Sequence, residues 1–360
     1  MSGAPAPSPG EELFTVAGAT KRFPLRHGFG RTQTMTAVDD VTLVVRSSRT
    51  LALVGESGSG KSTVGKLLLG LLEPDAGEVS FQGDPIRTLP PRRRDEFRRS
   101  LQIVFQNPFR SFSPMLTLGG SLRDALRLRR LPKAAYAAEI ATLLARVHLP
   151  PELARRYPSE VSGGQLQRVG IARAIATGPK AVFLDEPTSA LDVSLCGQIV
   201  NLLLELQSER ELGYVLVSHD LRLVEAMADD VIVMYLGHVM EEGPADIVLN
   251  DPVHPYTLAL LAAAHAKRTG EKDDHPARIQ GEVLALPSDY RGCKLVHRCP
   301  FAQQLCQEPQ ELRAFAGRRV RCRRAEEVKE IVAGLLPEQR PAQARSHRTL
   351  PSSDEPELPR

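Results

Sequence analysis

The segment GESGSGKST places Gly55, Glu56, Ser57, Gly58, Ser59, Gly60, Lys61, Ser62 and Thr63 in the pattern G-x-x-x-x-G-K-[ST]. Backbone N–H groups can turn inward around phosphate oxygens there, because the glycines put no Cβ in the way. Lys61 can reach β- and γ-phosphates, and the Ser62 hydroxyl can ligate Mg²⁺. Further along, AVFLDEPTSALD (181–192) ends an apolar run in two carboxylates. Asp185 can hold a magnesium shell, and Glu186 can polarise an attacking water as a general base. A third stretch, YPSEVSGGQLQRVGIARAIA (157–176), breaks at SGG before an amphipathic run. Ser162, Gly163, Gly164 and Gln165 thus open a helix, which is a second anion-binding arrangement. Two such helix starts grip one nucleotide only if two chains face each other head to tail. Taken singly, the bland alternatives are a glycine turn, a solvated acidic strand end and an ordinary N-cap. Their occurrence together favours the phosphate chemistry.

These residues need elements to hold them. LALVG reads as a short apolar strand and VGKLLLGLL carries helical spacing, the flanks a phosphate loop requires. From Leu13 to about Gly243, strand-like and helix-like segments alternate, which predicts an α/β fold with a sheet flanked by helices. Residues 110–170 read mostly as helix, predicting a helical subdomain inserted into a P-loop NTPase core. Residues 1–12 and 326–360 are polar and Pro-rich, and are expected to be disordered. Residues 251–325 form a C-terminal extension, with 265–282 as linker or exposed loop.

Composition excludes other classes. The 360 residues exceed one compact core, and a net charge of +3 is too small to make nucleic acid the main ligand. PPRRRDEFRRS (90–100) reads as a solvated helix face. No run of 18 apolar residues exists, and YTLALLAAAHA is too short to span a membrane. MSGAPAPSPGEE is not a signal peptide, so a cytoplasmic protein is expected.

In order and spacing, these motifs resemble the ABC transporter ATPases over about residues 13–250. The signature here is VSGGQ, a mild departure from LSGGQ. The resemblance implies that Phe23 stacks on adenine, Gln106 contacts Mg²⁺ and the attacking water, and His219 holds the γ-phosphate and Glu186 in place. It also implies that SALD (189–192) crosses a dimer interface. A core Phe and a structural His are the alternatives. The cofactors implied are ATP and Mg²⁺, the metal sitting on Ser62, Gln106 and Asp185. FPLRHGFGRTQTMTAVDDV, FQNPFRSFSP, YLGHVMEEGP and HPYTLALL further resemble the oligopeptide/dipeptide/nickel importer ATPases, F-type subunit. That implies a second ABC ATPase (D-type companion or self), two transmembrane permease subunits and an extracytoplasmic solute-binding protein. It also implies a peripheral position on the cytoplasmic face of the membrane, with peptides, nickel or opines as solute. The alternative class is a soluble ABC ATPase of translation or DNA repair, against which stand the single P-loop and the lack of a heptad run.

Cys293, Cys299, Cys306 and Cys322 lie within 30 residues. In a reducing compartment this suggests metal rather than disulfides, although close C-x-x-C pairs are absent. The segment resembles the C-terminal part of peptide-importer ATPases, some of which hold a [4Fe–4S] cluster on four cysteines. Arg298, Arg318, Arg319 and Arg321 can offset cluster charge. Zinc and four unligated thiols are the alternatives; Cys196, beside SALD, is excluded as a ligand.

Overall fold

The computed structural model describes residues 10–27, 31–269, 275–279, 281–283, 286 and 290–335. The strands are β1 (Glu12–His27), β2 (Arg31–Arg46), β3 (Thr50–Val54), β4 (Ala76–Phe81), β5 (Asp84–Pro85), β6 (Leu101–Val104), β7 (Ala181–Asp185), β8 (Gly213–Val217), β9 (Asp230–Tyr235), β10 (His238–Pro244), β11 (Arg313–Phe315) and β12 (Arg318–Val320). The main sheet runs β11-β12-β10-β9-β3-β8-β7-β6, and a smaller one runs β2-β1-β4-β5. Strands β9, β3, β8, β7 and β6 are parallel neighbours, while β10, β12 and β11 extend the sheet antiparallel. The middle strands TLALV and GYVLV are buried at every position, as parallel strands covered on both faces must be.

Helices α1 (Lys61–Leu68) and α2 (Pro91–Ser100) lie in the first half. Then come α3 (Pro108–Ser111), α4 (Leu118–Arg127), α5 (Tyr136–Arg146) and α6 (Gly163–Ile175), which supply the helical stretch between β6 and β7. After β7 follow α7 (Val193–Arg210), α8 (Leu221–Met227), α9 (Ala245–Asn250), α10 (Pro255–Thr269) and α11 (Ala325–Leu335). Leu118, Leu122 and Leu126 recur at i, i+4, i+8 along α4 and are fully buried. In α2 only Phe97 and Ser100 are buried, so its arginines form a solvated face. Gly65 lets α1 press on β7: a Cβ there would stand 2.3 Å from the Phe183 ring.

Three expectations change. Of residues 1–12, expected to be disordered, Gly10 donates its N–H to the Ser47 carbonyl at 3.2 Å and Glu12 opens β1. The tail expected to be disordered from 326 begins with a helix, α11, because Ala325 and Val328 are buried on one face of it. Residues 265–269, expected to open a linker or exposed loop, are instead the end of α10, which runs to Thr269. Residues 1–9 and 336–360, expected to be disordered, lie outside the described residues.

The C-terminal segment is pinned to the sheet by a buried ion pair. Arg318 and Glu241 side chains are 1% and 0% exposed and stand 3.4 Å apart. Glu241 also accepts from the N–H groups of Val253 and His254, each at 3.1 Å. Arg318 donates to the Asp251 carbonyl and to its carboxylate. A buried charge pair this well satisfied fixes one register of β12 on β10.

Candidate functional site

Four loops leave the carboxyl ends of parallel strands on one edge of the sheet, the usual ligand position in such folds. The loop after β3 is Gly55–Gly60, leading into α1. Gly55 has φ +148°, and a Cβ there would lie 2.2 Å from the Met234 carbonyl oxygen; at Gly60, with φ +106°, it would lie 2.5 Å from that of Ala37. Only glycine permits both approaches. The Lys61 ammonium is nearly buried and donates to the carbonyls of Gly55 and Glu56, each at 2.8 Å, and to Ser59 Oγ at 3.1 Å. Burial lowers its pKa, and Glu186, Asp185 and Glu56 oppose that shift.

Opposite the loop, β7 delivers Asp185 and Glu186. Burial and then the Glu186 charge raise the Asp185 pKa, with Lys61 pulling the other way. Two neighbouring carboxylates beside one lysine leave an excess of negative charge that a divalent cation would relieve. Glu186 is gripped at both oxygens: Gln106 Nε2 donates to Oε2 at 2.6 Å, and His219 Nδ1 lies 3.0 Å from Oε1. Gln106 follows β6 and His219 follows β8, so three strand ends converge on one carboxylate. The Glu186 backbone is left-handed, φ 45°, and its N–H donates to the Val217 carbonyl at 2.9 Å.

These groups line a cleft of about 800 Å³. Of the residues expected at a nucleotide site, Phe23, Gly55, Ser57, Gly58, Ser59, Gly60, Lys61, Ser62, Thr63, Gln106, Asp185, Glu186 and His219 line it. Phe23 sits on β1 opposite Met35 of β2. Glu56 does not line the cleft; its side chain turns to Arg298. Ser162, Gly163, Gly164 and Gln165 do not line it either. They form a capping box at the start of α6, with Gln165 N–H donating to Ser162 Oγ at 3.2 Å and Ser162 N–H to Gln165 Oε1 at 3.0 Å. Asp39, Leu236, His238, Val283, Leu286 and Lys294 also line the cleft, and sequence reasoning had not named them. Asp39, Leu236 and His238 fall in stretches that carried the resemblance but were given no role there, and Val283, Leu286 and Lys294 come from the C-terminal segment.

A second, much smaller cavity, about 20 Å³, is walled by all four C-terminal cysteines together with His254, Gln310 and Arg324. Cys196 stays apart, its Sγ 3.5 Å from the Thr188 carbonyl. Burial pushes the Cys293 and Cys322 thiols up to about 12 and Cys299 to about 11. His254 is fully buried; its Nδ1 accepts from the Tyr256 N–H at 3.0 Å, and a backbone hydrogen bond with Arg321 partly opposes the lowering of its pKa by burial. Among the described residues no group of three or more His, Cys, Asp or Glu side chains stands where it could hold a metal ion. Of the arginines expected to face a cluster, Arg318 pairs with Glu241 and Asp251, Arg319 with Glu242, and Arg298 with Glu56. Arg321 donates to the carbonyls of Val239 and Gln310.

Known proteins share this architecture. Residues 38–189 match the ABC transporter family, and residues 240–306 match the oligopeptide/dipeptide transporter C-terminal region. The glutathione import ATP-binding protein GsiA of Escherichia coli (strain K12) is 46% identical over 292 residues, 78% of this chain and 47% of that protein. GsiA of Salmonella typhimurium (strain LT2) is 46% identical over 290 residues, 78% of this chain and 46% of its own. The chain therefore spans about half the length of the curated relatives it matches. Among solved structures, cbiO1 of Clostridium perfringens, part of the ABC transporter complex cbiONQ, superposes with TM-score 0.57 at 26% identity, covering 66% of this chain and 90% of that one. A dimeric ATP-binding cassette bound to ADP and Pi after hydrolysis gives 0.55 at 26% identity, covering 65% and 99%. Among the described residues no helix is long and apolar enough to cross a membrane.

Proposed function

Since the chain belongs to the ABC transporter ATPases and carries the C-terminal region of their oligopeptide/dipeptide branch, we propose that it binds and hydrolyses ATP to power uptake of di- or oligopeptides. The observation that carries this reading is the Glu186 carboxylate held between Gln106 and His219 across the cleft from the phosphate loop. Lys61 and the loop amides bind the β- and γ-phosphates. Ser62, Asp185 and Gln106 would hold Mg²⁺, which would supply charge neutralisation on those phosphates. Glu186 takes the proton of the attacking water, while Gln106 and His219 keep its oxygens aimed.

The signature Ser162–Gln165 lies outside its own chain's cleft, which supports a head-to-tail dimer with a second ABC ATPase, a D-type companion or a second copy. In that dimer each nucleotide lies between one P-loop and the other signature. Phe109, Met115 and Leu116 are 50%, 82% and 40% exposed around α3, and this apolar surface suits a membrane permease subunit. The chain is then peripheral at the cytoplasmic face, below two permeases fed by an extracytoplasmic binding protein. GsiA is named for glutathione import, so a tripeptide is the first solute to test, with nickel chelates and opines next. The test is uptake of labelled glutathione and dipeptides by cells carrying the transporter with parent or Glu186→Gln subunit. Uptake that persists in the variant refutes the reading.

The cysteine cavity belongs to the same proposal. Four thiols around one cavity are the donor set of a [4Fe–4S] cluster. The thiols are not gathered as a single zinc ion needs. Anaerobically purified protein should be brown with about four irons per chain; colourless, iron-free protein removes the cluster.

A further inference from the structure

One side chain carries the C-terminal segment to the phosphate loop. Arg298 lies in the turn between Cys293 and Cys299, where the Leu295 carbonyl accepts from both the Arg298 and Cys299 N–H groups, each at 2.9 Å. The Cys293 carbonyl accepts from the Val296 N–H at 3.1 Å, closing the same turn. A shift of either cysteine therefore carries Arg298 with it. Its guanidinium crosses to Glu56, with Nη1 donating to Oε2 at 3.0 Å and Nη2 to Oε1 at 3.3 Å. Nη1 also reaches Tyr235 Oη at 3.1 Å. The arginine side chain is 12% exposed and the glutamate 35%, so this two-pronged contact is partly shielded from water.

Glu56 is held from a second side. Its N–H donates to Tyr256 Oη at 2.8 Å, and Tyr256 is fully buried two residues after His254. His254 and Pro255 wall the cysteine cavity, as do Cys293 and Cys299. Both grips on Glu56 thus come from segments that build that cavity. Glu56 in turn provides, with Gly55, the carbonyls on which the Lys61 ammonium rests. Lys61 must leave those carbonyls to meet a phosphate, so the position of Glu56 helps to set how readily it does.

We propose that Arg298 is a positioning residue of the nucleotide site, and that through Glu56 it makes ATP affinity depend on the state of the four-cysteine cavity. The proposal rests on the reading of Gly55–Thr63 as an ATP site. Arg298 touches no phosphate and acts by fixing the loop. Lysine cannot reproduce the planar fork, so the effect is specific to arginine.

The experiment uses the full chain in a Cys196→Ser background, stripped of metal by chelation, with a non-hydrolysable ATP analogue and Mg²⁺ in equilibrium dialysis. Arg298→Gln and Glu56→Gln should each raise the dissociation constant about tenfold, the scale of losing charge-assisted hydrogen bonds. The double variant should be no worse than either single one. Arg298→Lys should recover only part of the loss. In turnover KM should rise with kcat near the parent value, the pattern of lost uniform binding. Reversible modification of the cavity thiols with methyl methanethiosulfonate should shift the parent's dissociation constant severalfold, reversed by dithiothreitol. The same treatment should leave Arg298→Gln unmoved. Circular dichroism confirms that each variant is folded, and Glu56→Gln tests the contact without altering the cysteine segment. Parent affinity in Arg298→Gln and Glu56→Gln overturns the proposal, as does an equal thiol effect in Arg298→Gln. Lys61→Ala separates the two layers: if it too binds like the parent, the ATP reading itself fails.

Discussion

Replacing Glu186 by Gln removes a proton acceptor and almost nothing else. The amide oxygen of the new residue can accept from Gln106 Nε2, now 2.6 Å from Oε2, and its amide nitrogen can donate to His219 Nδ1, now 3.0 Å from Oε1, in the tautomer that leaves that nitrogen unprotonated. Both contacts survive, the left-handed backbone is unchanged, and Lys61 keeps its neighbours apart from one charge. ATP affinity should therefore stay within about threefold of the parent, since no contact to phosphate is lost. Turnover should fall by about 10²–10⁴, the usual loss of a general base, which corresponds to roughly 2.7–5.5 kcal/mol of barrier. Phosphate release at saturating ATP measures turnover, and equilibrium dialysis measures affinity. Gel filtration with ATP should show the variant accumulating as a dimer, because the nucleotide is held and not cleaved. Release within fivefold of the parent rate would refute the assignment of Glu186, and a large loss of affinity would refute the argument that both contacts persist.

Lys61→Ala should weaken ATP binding by at least about tenfold, the loss of a charge-assisted contact to phosphate, as read by equilibrium dialysis. Charged residues at Phe109 and Met115 should abolish uptake while the isolated subunit binds ATP as before; unimpaired uptake would exclude that surface as the docking face. Arg318→Met should destabilise the fold by about 3–5 kcal/mol in urea, because the buried Glu241 charge loses its counter-ion; making Glu241 apolar as well should recover only part of it, because the Val253 and His254 N–H groups then lose their acceptor. His238 is pushed down to about 4, chiefly by burial, from 6.5. The unfolded chain therefore binds its proton first, so this contribution is complete above pH 6.5 and is lost as pH falls towards 4, by up to about 1.4 kcal/mol per unit. Urea denaturation at pH 7.5 and 5.5 should show a shallower dependence in His238→Asn than in the parent.

The phosphate loop was legible because its chemistry is local: strand, glycines, lysine and helix follow one another without a break. The carboxylate pair was legible for the same reason. That Gln106 and His219 meet on Glu186 is not a local fact. It follows from three parallel strands ending on one edge; the resemblance, not the spacing, implied His219 beside Glu186, whereas it put Gln106 on Mg²⁺ and the attacking water, and the Gln106–Glu186 contact was not anticipated. Arg298 on Glu56 was out of reach, since the two are 242 positions apart and Glu56 occupies a variable place in its motif. Strands β11 and β12 are three residues each, too short to show alternation. Helix α11 was missed because its apolar face, Ala325, Val328 and Val332, is interleaved with Glu326, Glu327, Lys329 and Glu330, so the composition read as tail and the helical spacing of the apolar residues went unused.

The left-handed backbone of Glu186 bears on how this chain can change over time. A side chain with a Cβ in that conformation costs about 1–2 kcal/mol relative to glycine, with asparagine in between. Stability alone therefore favours glycine or asparagine where the base stands. A lineage that kept the fold but no longer needed hydrolysis would meet one of its easier stabilising substitutions at this residue. Glutamate held there against that gradient separates a working cassette from a degenerate one, and screens for thermostable variants should recover position 186 chiefly among clones that have lost turnover.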